Sequence, residues 1–119
     1  MKILVVEDSM LCRKLVAKYL GEQLPEAHII TATNGAEGYR FFQKSTPDLM
    51  VIDLLMPQMD GIQLLKTVKQ EKPDTKVVVL SADVQKITQE EVLQLGANIF
   101  LPKPFTQNQA KEIADLFQA

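Results

Sequence analysis

The sequence predicts an α/β protein: a doubly wound, five-stranded parallel sheet with helices on both faces. Short apolar runs rich in β-branched residues alternate with amphipathic runs along the whole chain, as in repeated strand–helix units. Three of the short runs are apolar at consecutive positions, which is typical of parallel strands buried on both faces. Five such units take up all 119 residues, at about 24 residues each, so we expect residues 1–119 to form a single domain.

Five segments are predicted as strands. The first, third and fourth are the continuous apolar runs at residues 3–6, 49–52 and 77–80. Residues 28–32 and 98–101 are weaker candidates that complete the set. Right-handed crossovers through the intervening helices would keep all five strands parallel.

The segments between the strands predict helices. In the first helix, apolar residues recur at spacings of three and four and so form one stripe. The residues of this stripe are Leu11, Leu15, Val16, Tyr19 and Leu20. The second helix is predicted to begin after Asn34, a favourable N-cap residue, with Glu37 three positions later in an arrangement similar to a capping box.

Similar patterns predict the last three helices. The third covers residues 61–70, and the fourth covers residues 88–95 and ends before Gly96, a suitable C′ residue. Thr106 is a favourable N-cap for the fifth helix. The apolar positions of the three helices are Ile62, Leu65 and Val68, then Val92, Leu93 and Leu95, then Ile113, Leu116 and Phe117.

Composition excludes several classes of protein. With 13 Lys and Arg against 15 Asp and Glu, the chain lacks the basic excess that binding to a nucleic-acid backbone requires. Cys12 is the only cysteine, which precludes an intramolecular disulfide, and we expect it to be a small buried apolar side chain. The first apolar run is too short for a signal peptide, and no run approaches the roughly 20 residues of a membrane helix. We therefore expect a cytoplasmic protein with no membrane partner and no direct nucleic-acid partner.

Polar side chains follow four of the five predicted strands. Carboxyl ends of parallel strands lie on one edge of the sheet, where ligands bind, so we expect these side chains to converge. Three of them are acids that would repel one another and favour a bound cation. Carboxylate oxygens suit Mg²⁺ in particular. The residues, in strand order, are Glu7, Asp8, Asp53, Ser81 and Lys103.

Each of these residues also has a simpler structural interpretation. Glu7 and Asp8 could begin a helix, where acids interact favourably with the dipole, and Ser81 could be a turn residue. Asp53 after four apolar residues, and Lys103 between two prolines, are harder to explain in this way. Their joint occurrence at strand ends favours a functional site.

The sequence resembles the receiver domains of two-component response regulators, most closely the stand-alone chemotaxis type. The resemblance extends over essentially the whole chain and rests on several motifs. The motifs are VVEDS at residues 5–9, DLLMPQMDG at 53–61, VLSA at 79–82, GA at 96–97 and FLPKPF at 100–105. It implies a flavodoxin-like (βα)₅ fold with strand order 2-1-3-4-5.

The resemblance also implies roles for the residues at the strand ends. Asp53 would accept a phosphoryl group from a phosphohistidine of a sensor histidine kinase or phosphotransfer protein. Glu7, Asp8 and the backbone carbonyl of Leu55 would hold Mg²⁺ together with Asp53. Lys103 would pair with the phosphoryl oxygens.

A conformational switch is implied by the same resemblance. The Ser81 hydroxyl would hydrogen-bond the phosphoryl group, Phe100 would be the switch aromatic residue, and the Lys103–Pro104 peptide would be cis. The altered surface of the fourth helix, fifth strand and fifth helix would bind a downstream protein, either a flagellar motor switch or a relay component. The protein would be a monomer or weak dimer, and it would catalyse only its own phosphorylation and dephosphorylation.

Four residues depart from the commonest receiver pattern. Glu7 replaces an aspartate, Ser81 replaces a threonine, and Phe100 lacks the hydroxyl of a tyrosine often found there. Leu55, two positions after Asp53, cannot orient an attacking water molecule. We therefore expect slower loss of the phosphoryl group than with Asn or Asp at position 55.

Other functions fit the sequence less well. A phosphohydrolase with an aspartate nucleophile needs a second acid where Leu55 stands, and the acids Glu7 and Asp8 would repel the phosphate of an FMN cofactor. Two alternatives remain open from sequence. The chain could be a receiver-fold interaction module that works without phosphorylation, or a fragment of a longer regulator.

Overall fold

The computed structural model describes residues 1–56 and 58–117. Within this part of the chain, five strands alternate with five helices. The strands are β1 (Lys2–Val6), β2 (His28–Ala32), β3 (Leu49–Asp53), β4 (Lys76–Ser81) and β5 (Ile99–Pro102). The helices are α1 (Met10–Gln23), α2 (Gly35–Ser45), α3 (Gly61–Glu71), α4 (Lys86–Gln94) and α5 (Gln107–Asp115).

All neighbouring strands pair in parallel, and their order in the sheet is β2-β1-β3-β4-β5. This confirms both the predicted doubly wound sheet and the order implied by the resemblance. After β1 the chain forms β2 at one edge of the sheet, and it then crosses back to form β3 on the other side of β1. Strand order therefore reverses between β1 and β3, where open α/β sheets bind their ligands.

The consecutive apolar residues of the central strands are buried because helices cover both faces of the sheet. In β1, Leu4 and Val6 belong to the core cluster on the side of α2, α3 and α4. Ile3 and Val5 belong to the cluster on the side of α1 and α5. All four side chains are completely buried, which explains why β1 shows no alternation of apolar and polar residues.

Two leucines that the helical patterns place on an apolar stripe are exposed. Leu11 is 71% exposed, because it lies in the first turn of α1 beside Pro104 and beyond the end of the sheet. In α4, Val92 is completely buried and the adjacent Leu93 is 47% exposed, since successive residues point about 100° apart around a helix. Cys12 is only half-buried, so its predicted burial was wrong in degree.

The predicted N-caps are confirmed, with one difference in detail. Asn34 accepts a hydrogen bond from the backbone N–H of Glu37 at 2.8 Å. The Glu37 carboxylate accepts from the backbone N–H of Thr33 at 2.8 Å, not from that of Asn34, so the capping box is not formed as predicted. Thr106 forms a complete capping box with Gln109.

Several element boundaries differ from the prediction by one or two residues. The fourth helix begins at Lys86 instead of residue 88, and the fifth helix ends at Asp115, so Leu116 and Phe117 follow it. Strand β5 begins after Asn98, which pairs with Val77 through its backbone N–H and its side-chain oxygen, both at 2.8 Å. No described helix is both long and apolar enough to cross a membrane.

Candidate functional site

The structure brings together the polar residues that the sequence places at the strand ends. Asp53 and Ser81 are the last residues of β3 and β4, and Glu7 and Asp8 directly follow β1. Lys103 follows β5, and its backbone N–H donates to the carbonyl of Ser81 at 2.9 Å. The carboxyl edge of the sheet therefore carries one site built from four strands.

Three carboxylates form the acidic part of this site. Oxygens of Glu7, Asp8 and Asp53 all lie within 4.8 Å of one another. Glu7 and Asp53 are buried, at 1% and 4% exposure, and Asp8 is exposed. Such a group of hard oxygen ligands could hold a divalent metal ion, with the exposed side leaving room for water ligands.

Lys103 lies between the two buried acids. Its Nζ atom is 2.6 Å from Oε1 of Glu7 and 3.3 Å from Oδ2 of Asp53. The Lys103–Pro104 peptide is cis, as predicted. One ammonium therefore faces two buried carboxylates, and the charges inside the site do not balance.

The pKa values of the two buried acids are shifted in opposite directions. Burial, followed by the nearby negative charge of Glu7, raises the pKa of Asp53 from 3.8 to about 7. Burial also acts to raise the pKa of Glu7, but hydrogen bonds from Cys12, Lys103 and the Ser9 backbone outweigh it and lower that pKa to about 2. The site holds one carboxylate charge readily and the second only at a cost, which a divalent cation would remove.

The carboxylate of Asp53 is held on both oxygens. Oδ1 accepts from the backbone N–H of Leu55 at 3.3 Å, and Oδ2 faces Lys103. The side chain of Leu55 is 68% exposed at the mouth of the site. The Asp53 carboxylate is therefore oriented in part by the loop that follows β3.

Gly61 allows that loop to close against β3. Its N–H donates to the carbonyl of Leu54 at 3.0 Å. A Cβ at this position would lie 2.3 Å from the carbonyl oxygen of Asp53, so no larger residue fits without a backbone shift. From sequence, Gly61 was only the first residue of a helix and part of a motif, and its contact with Asp53 was not predicted.

Ser81 is linked to the loop between β4 and α4. Its buried hydroxyl oxygen accepts from the backbone N–H of Asp83 at 3.0 Å, which leaves the hydroxyl proton free to donate elsewhere. The Asp83 carboxylate in turn accepts from Gln85 N–H at 3.0 Å and the Thr88 hydroxyl at 2.9 Å. A displacement of Ser81 would therefore be passed to the start of α4.

Phe100 lies on β5, next to Val79 of β4 in the sheet register. It is half-buried and packs against the core cluster on the side of α2, α3 and α4. Beside the acids, a cleft of about 460 Å³ is lined in part by Asp8, Leu55 and Ser81. Phe100 does not line this cleft, but it lies three residues before Lys103, which contacts both buried acids.

Arg13 also contacts the site, although its sequence position gave no indication of it. Its Nη1 atom donates to the backbone carbonyls of Glu7 at 2.9 Å and Asp8 at 3.2 Å. The contact joins residues five and six positions apart across a strand-to-helix turn. Standard helical spacings do not predict such a contact, because it depends on the path of that turn.

A parallel sheet of this order, with an acidic cluster and a lysine at its carboxyl edge, defines a receiver domain of two-component response regulators. Residues 3–115 match the family described as the response regulator receiver domain, and the chain belongs to this family. Members of this class are signalling proteins of phosphorelays.

Among its relatives are the stand-alone chemotaxis proteins. The chain is 32% identical to the chemotaxis protein CheY of Bacillus subtilis over 111 residues, which cover 93% of this chain and 92% of CheY. It is 29% identical to the probable C4-dicarboxylate response regulator DctR of Bacillus subtilis over 117 residues. That match covers 98% of this chain but 52% of DctR, so the chain spans about half the length of that relative.

Solved structures show the same fold. The chain is similar to one in the CheX-CheY-BeF3-Mg+2 complex from Borrelia burgdorferi, with a TM-score of 0.91 and 25% sequence identity. The similarity covers 98% of this chain and 89% of that chain. The fold and the family implied by the sequence motifs are thereby confirmed.

Proposed function

We propose that this chain receives a phosphoryl group on Asp53 from a phosphohistidine of a sensor histidine kinase or phosphotransfer protein. The observation that carries the proposal is the position of the Asp53 carboxylate. It lies buried at the sheet edge, 3.3 Å from the Lys103 ammonium and within 4.8 Å of oxygens of Glu7 and Asp8. This arrangement combines a nucleophile, a fixed cation and a set of metal ligands.

The reaction itself requires little covalent help from the protein. An oxygen of ionised Asp53 bonds to phosphorus as the phosphorus–nitrogen bond to the donor histidine breaks, and the electron pair of that bond returns to the imidazole. Lys103 favours the ionised form of Asp53, against burial and the charge of Glu7, and is placed to pair with the phosphoryl oxygens. Positioning and charge neutralisation are the main contributions to such a transfer.

The residues of the acidic cluster fit Mg²⁺. Glu7, Asp8, Asp53 and the backbone carbonyl of Leu55 would hold the ion. The fit follows from the hard oxygen ligands and from the buried pair of acids whose charges Lys103 alone does not balance. When bound, the ion neutralises negative charge on the carboxylates and on the incoming phosphoryl group.

The acyl phosphate would act as a switch through Ser81 and Phe100. A phosphoryl group adds acceptor oxygens and about −1.5 to −2 charge, enough for one to three new charge-assisted hydrogen bonds. The Ser81 hydroxyl is free to donate one of them, and its bond with Asp83 connects this movement to α4. The surface of α4, β5 and α5, including Phe100, would then bind a downstream motor-switch or relay protein.

Residues 1–119 act as one receiver domain, as a monomer or weak dimer, and the only reactions are the gain and loss of the phosphoryl group on Asp53. Chemotaxis output is favoured by the match to CheY over nearly the full length of both chains.

Acetyl phosphate, a small-molecule phosphoryl donor, tests this function. In the presence of Mg²⁺, intact-mass spectrometry of the wild type should show the addition of one phosphoryl group. Asp53→Asn should gain none, because the amide is not a nucleophile. Asp74→Asn, which removes an exposed acid at the opposite edge of the sheet, should be modified like the wild type. A wild type that gains no mass would contradict the proposal.

A further inference from the structure

The side chain of Arg13 runs back along α1 to the turn that carries the first two acids. Nη1 donates to the carbonyl oxygen of Glu7 at 2.9 Å and to that of Asp8 at 3.2 Å. Arg13 is half-buried, and its own backbone N–H donates to Ser9 at 2.9 Å in the first turn of the helix. Both ends of the residue are therefore anchored in the same short segment.

This turn determines where the acids point. The backbone N–H of Glu7 still pairs with β2, through Ala32 at 3.1 Å, and the chain then leaves the sheet. The Glu7 carboxylate is held by the N–H of Ser9 at 3.0 Å and by Lys103. Asp8 is exposed, and the backbone of the turn fixes the position from which its side chain extends.

We propose that Arg13 is a positioning residue for the cation site, because it holds the Glu7 and Asp8 carbonyls so that both carboxylates converge with Asp53. This inference rests on the proposed function, since it assigns to Arg13 a part in binding Mg²⁺. Groups that orient metal ligands in this way, without touching the metal, commonly change metal affinity by about 10- to 100-fold when they are removed.

The charge of Arg13 and its proposed positioning role predict opposite changes in Mg²⁺ affinity when the residue is replaced. The guanidinium is a positive charge beside a cation site, and its removal by itself would reduce repulsion and tighten binding of Mg²⁺. If Arg13 orients the acids, its removal weakens binding in spite of this. The sign of the change therefore separates the two effects.

Lys14 provides a matched control. It is the next residue of α1 and carries the same charge, but it is exposed and contacts neither carbonyl of the turn. Lys14→Met therefore removes one positive charge from the same helix and leaves the turn unchanged. Its Mg²⁺ affinity measures the effect of charge alone.

Isothermal titration calorimetry with MgCl₂ at low salt tests the inference on the wild type, Arg13→Met and Lys14→Met. We expect Arg13→Met to bind Mg²⁺ roughly tenfold more weakly than the wild type, and Lys14→Met to bind as tightly as the wild type or slightly more tightly. In phosphorylation by acetyl phosphate, the Mg²⁺ concentration for half-maximal rate should rise for Arg13→Met. The rate at saturating Mg²⁺ should stay near that of the wild type.

The inference would be overturned if Arg13→Met bound Mg²⁺ with an affinity equal to or higher than that of Lys14→Met. It would also be overturned if the wild type bound no Mg²⁺. If Arg13→Met does not fold, as judged by circular dichroism, Arg13→Lys replaces it. That variant keeps the charge but has a shorter reach, so weaker binding supports the inference and unchanged binding refutes it. A wild type that binds Mg²⁺ but gains no phosphoryl group would instead contradict the proposed function, while the inference on Arg13 is judged by the affinities.

Discussion

At the scale of single residues, the site is governed by the contact of Lys103 with Glu7 and Asp53. One ammonium faces two buried carboxylates, at 2.6 and 3.3 Å, and the pKa of Asp53 is raised to about 7 by burial and by Glu7. Asp53 is thus a buried acid whose charge Lys103 only partly compensates. A bound cation would neutralise this excess negative charge, and Lys103 lies close enough to pair with the proposed phosphoryl group on Asp53.

Leu55 should control how long the phosphoryl group remains on Asp53. Its side chain is 68% exposed at the mouth of the site and offers no hydrogen-bonding group to an attacking water molecule. In Leu55→Asn the amide can orient that water, so we expect the phosphorylated lifetime to shorten roughly tenfold. The decay of phosphorylated protein after removal of acetyl phosphate, followed by mass spectrometry, measures this lifetime.

Leu93→Asn is the control for this prediction. Leu93 is also an exposed leucine, at 47%, but it lies on α4 and does not line the cleft beside the acids. Its replacement should leave the lifetime unchanged. Equal lifetimes of Leu55→Asn and the wild type would show that position 55 does not control the attack of water.

At the scale of secondary-structure elements, close contacts set the position of the loop between β3 and α3. Gly61 at the start of α3 lies against the carbonyl of Asp53, and Gly35 at the start of α2 lies against Met59. The loop is therefore packed between two helix starts. This packing holds the segment that includes Leu55 and that follows Asp53.

Gly35→Ala should destabilise the protein by about 1–3 kcal/mol. A Cβ at position 35 would lie 1.6 Å from the carbonyl oxygen of Met59, so the loop or the start of α2 has to move. The free energy of unfolding, measured by urea denaturation, tests this. A loss of less than about 0.5 kcal/mol would mean that the contact relaxes easily.

Gly21→Ala is the matched control in α1. The nearest atom to a Cβ at position 21 is Cδ1 of Ile29, at 3.9 Å, which is an ordinary contact. Because alanine favours the helix over glycine, this variant should be more stable than the wild type by about 0.5–1 kcal/mol.

At the scale of the whole molecule, residues from opposite ends of the chain share one site. Glu7 and Lys103 lie in the first and last strand–helix units, and they meet because β1 and β5 both end at the carboxyl edge of the sheet. Through Asp83, the loop after β4 connects this edge to α4. A displacement at the carboxyl edge would therefore be transmitted to α4, which is part of the proposed binding surface of α4, β5 and α5.

The stability of the metal-free protein should depend on the ionisation of Asp53. Its pKa is about 7 in the folded protein, against 3.8 for the ordinary group, so the folded state binds a proton that the unfolded state releases. This stabilisation is complete below about pH 4 and is lost as the pH rises through about 7. Glu7, whose folded pKa is lowered to about 2, loses its contribution only below about pH 4.5, outside this window.

Asp53→Asn should abolish the loss of stability between about pH 4.5 and 7. In EDTA at pH 8 we expect this variant to be more stable than the wild type by about 2 kcal/mol, since no buried carboxylate has to ionise at position 53. Thermal or urea unfolding across this pH range measures the effect. Asp74→Asn, which changes an exposed acid, should keep the pH dependence of stability seen in the wild type. If Asp53→Asn is less stable than the wild type in EDTA, the prediction is contradicted.

Residue patterns alone predicted the fold class, the approximate positions of the ten elements in the described part of the chain and the acids of the site. Consecutive apolar residues in β1, β3 and β4 require a sheet covered on both faces, and this is a local property of the chain. The motifs around Asp53 and Lys103 were likewise readable without coordinates. Element boundaries were less certain, as at Lys86, because Gln85 before it forms no side-chain N-cap hydrogen bond and no typical capping residue marks the start of α4.

Only the tertiary structure determined which atoms meet. That Lys103 lies between Glu7 and Asp53, and that Gly61 lies against the carbonyl of Asp53, depends on how separate strands and loops pack at the sheet edge. The hydrogen bonds from Arg13 to the carbonyls of Glu7 and Asp8 depend on the path of the backbone between β1 and α1. Sequence patterns report periodicity and residue chemistry, whereas distances between residues far apart along the chain arise only when the core is packed.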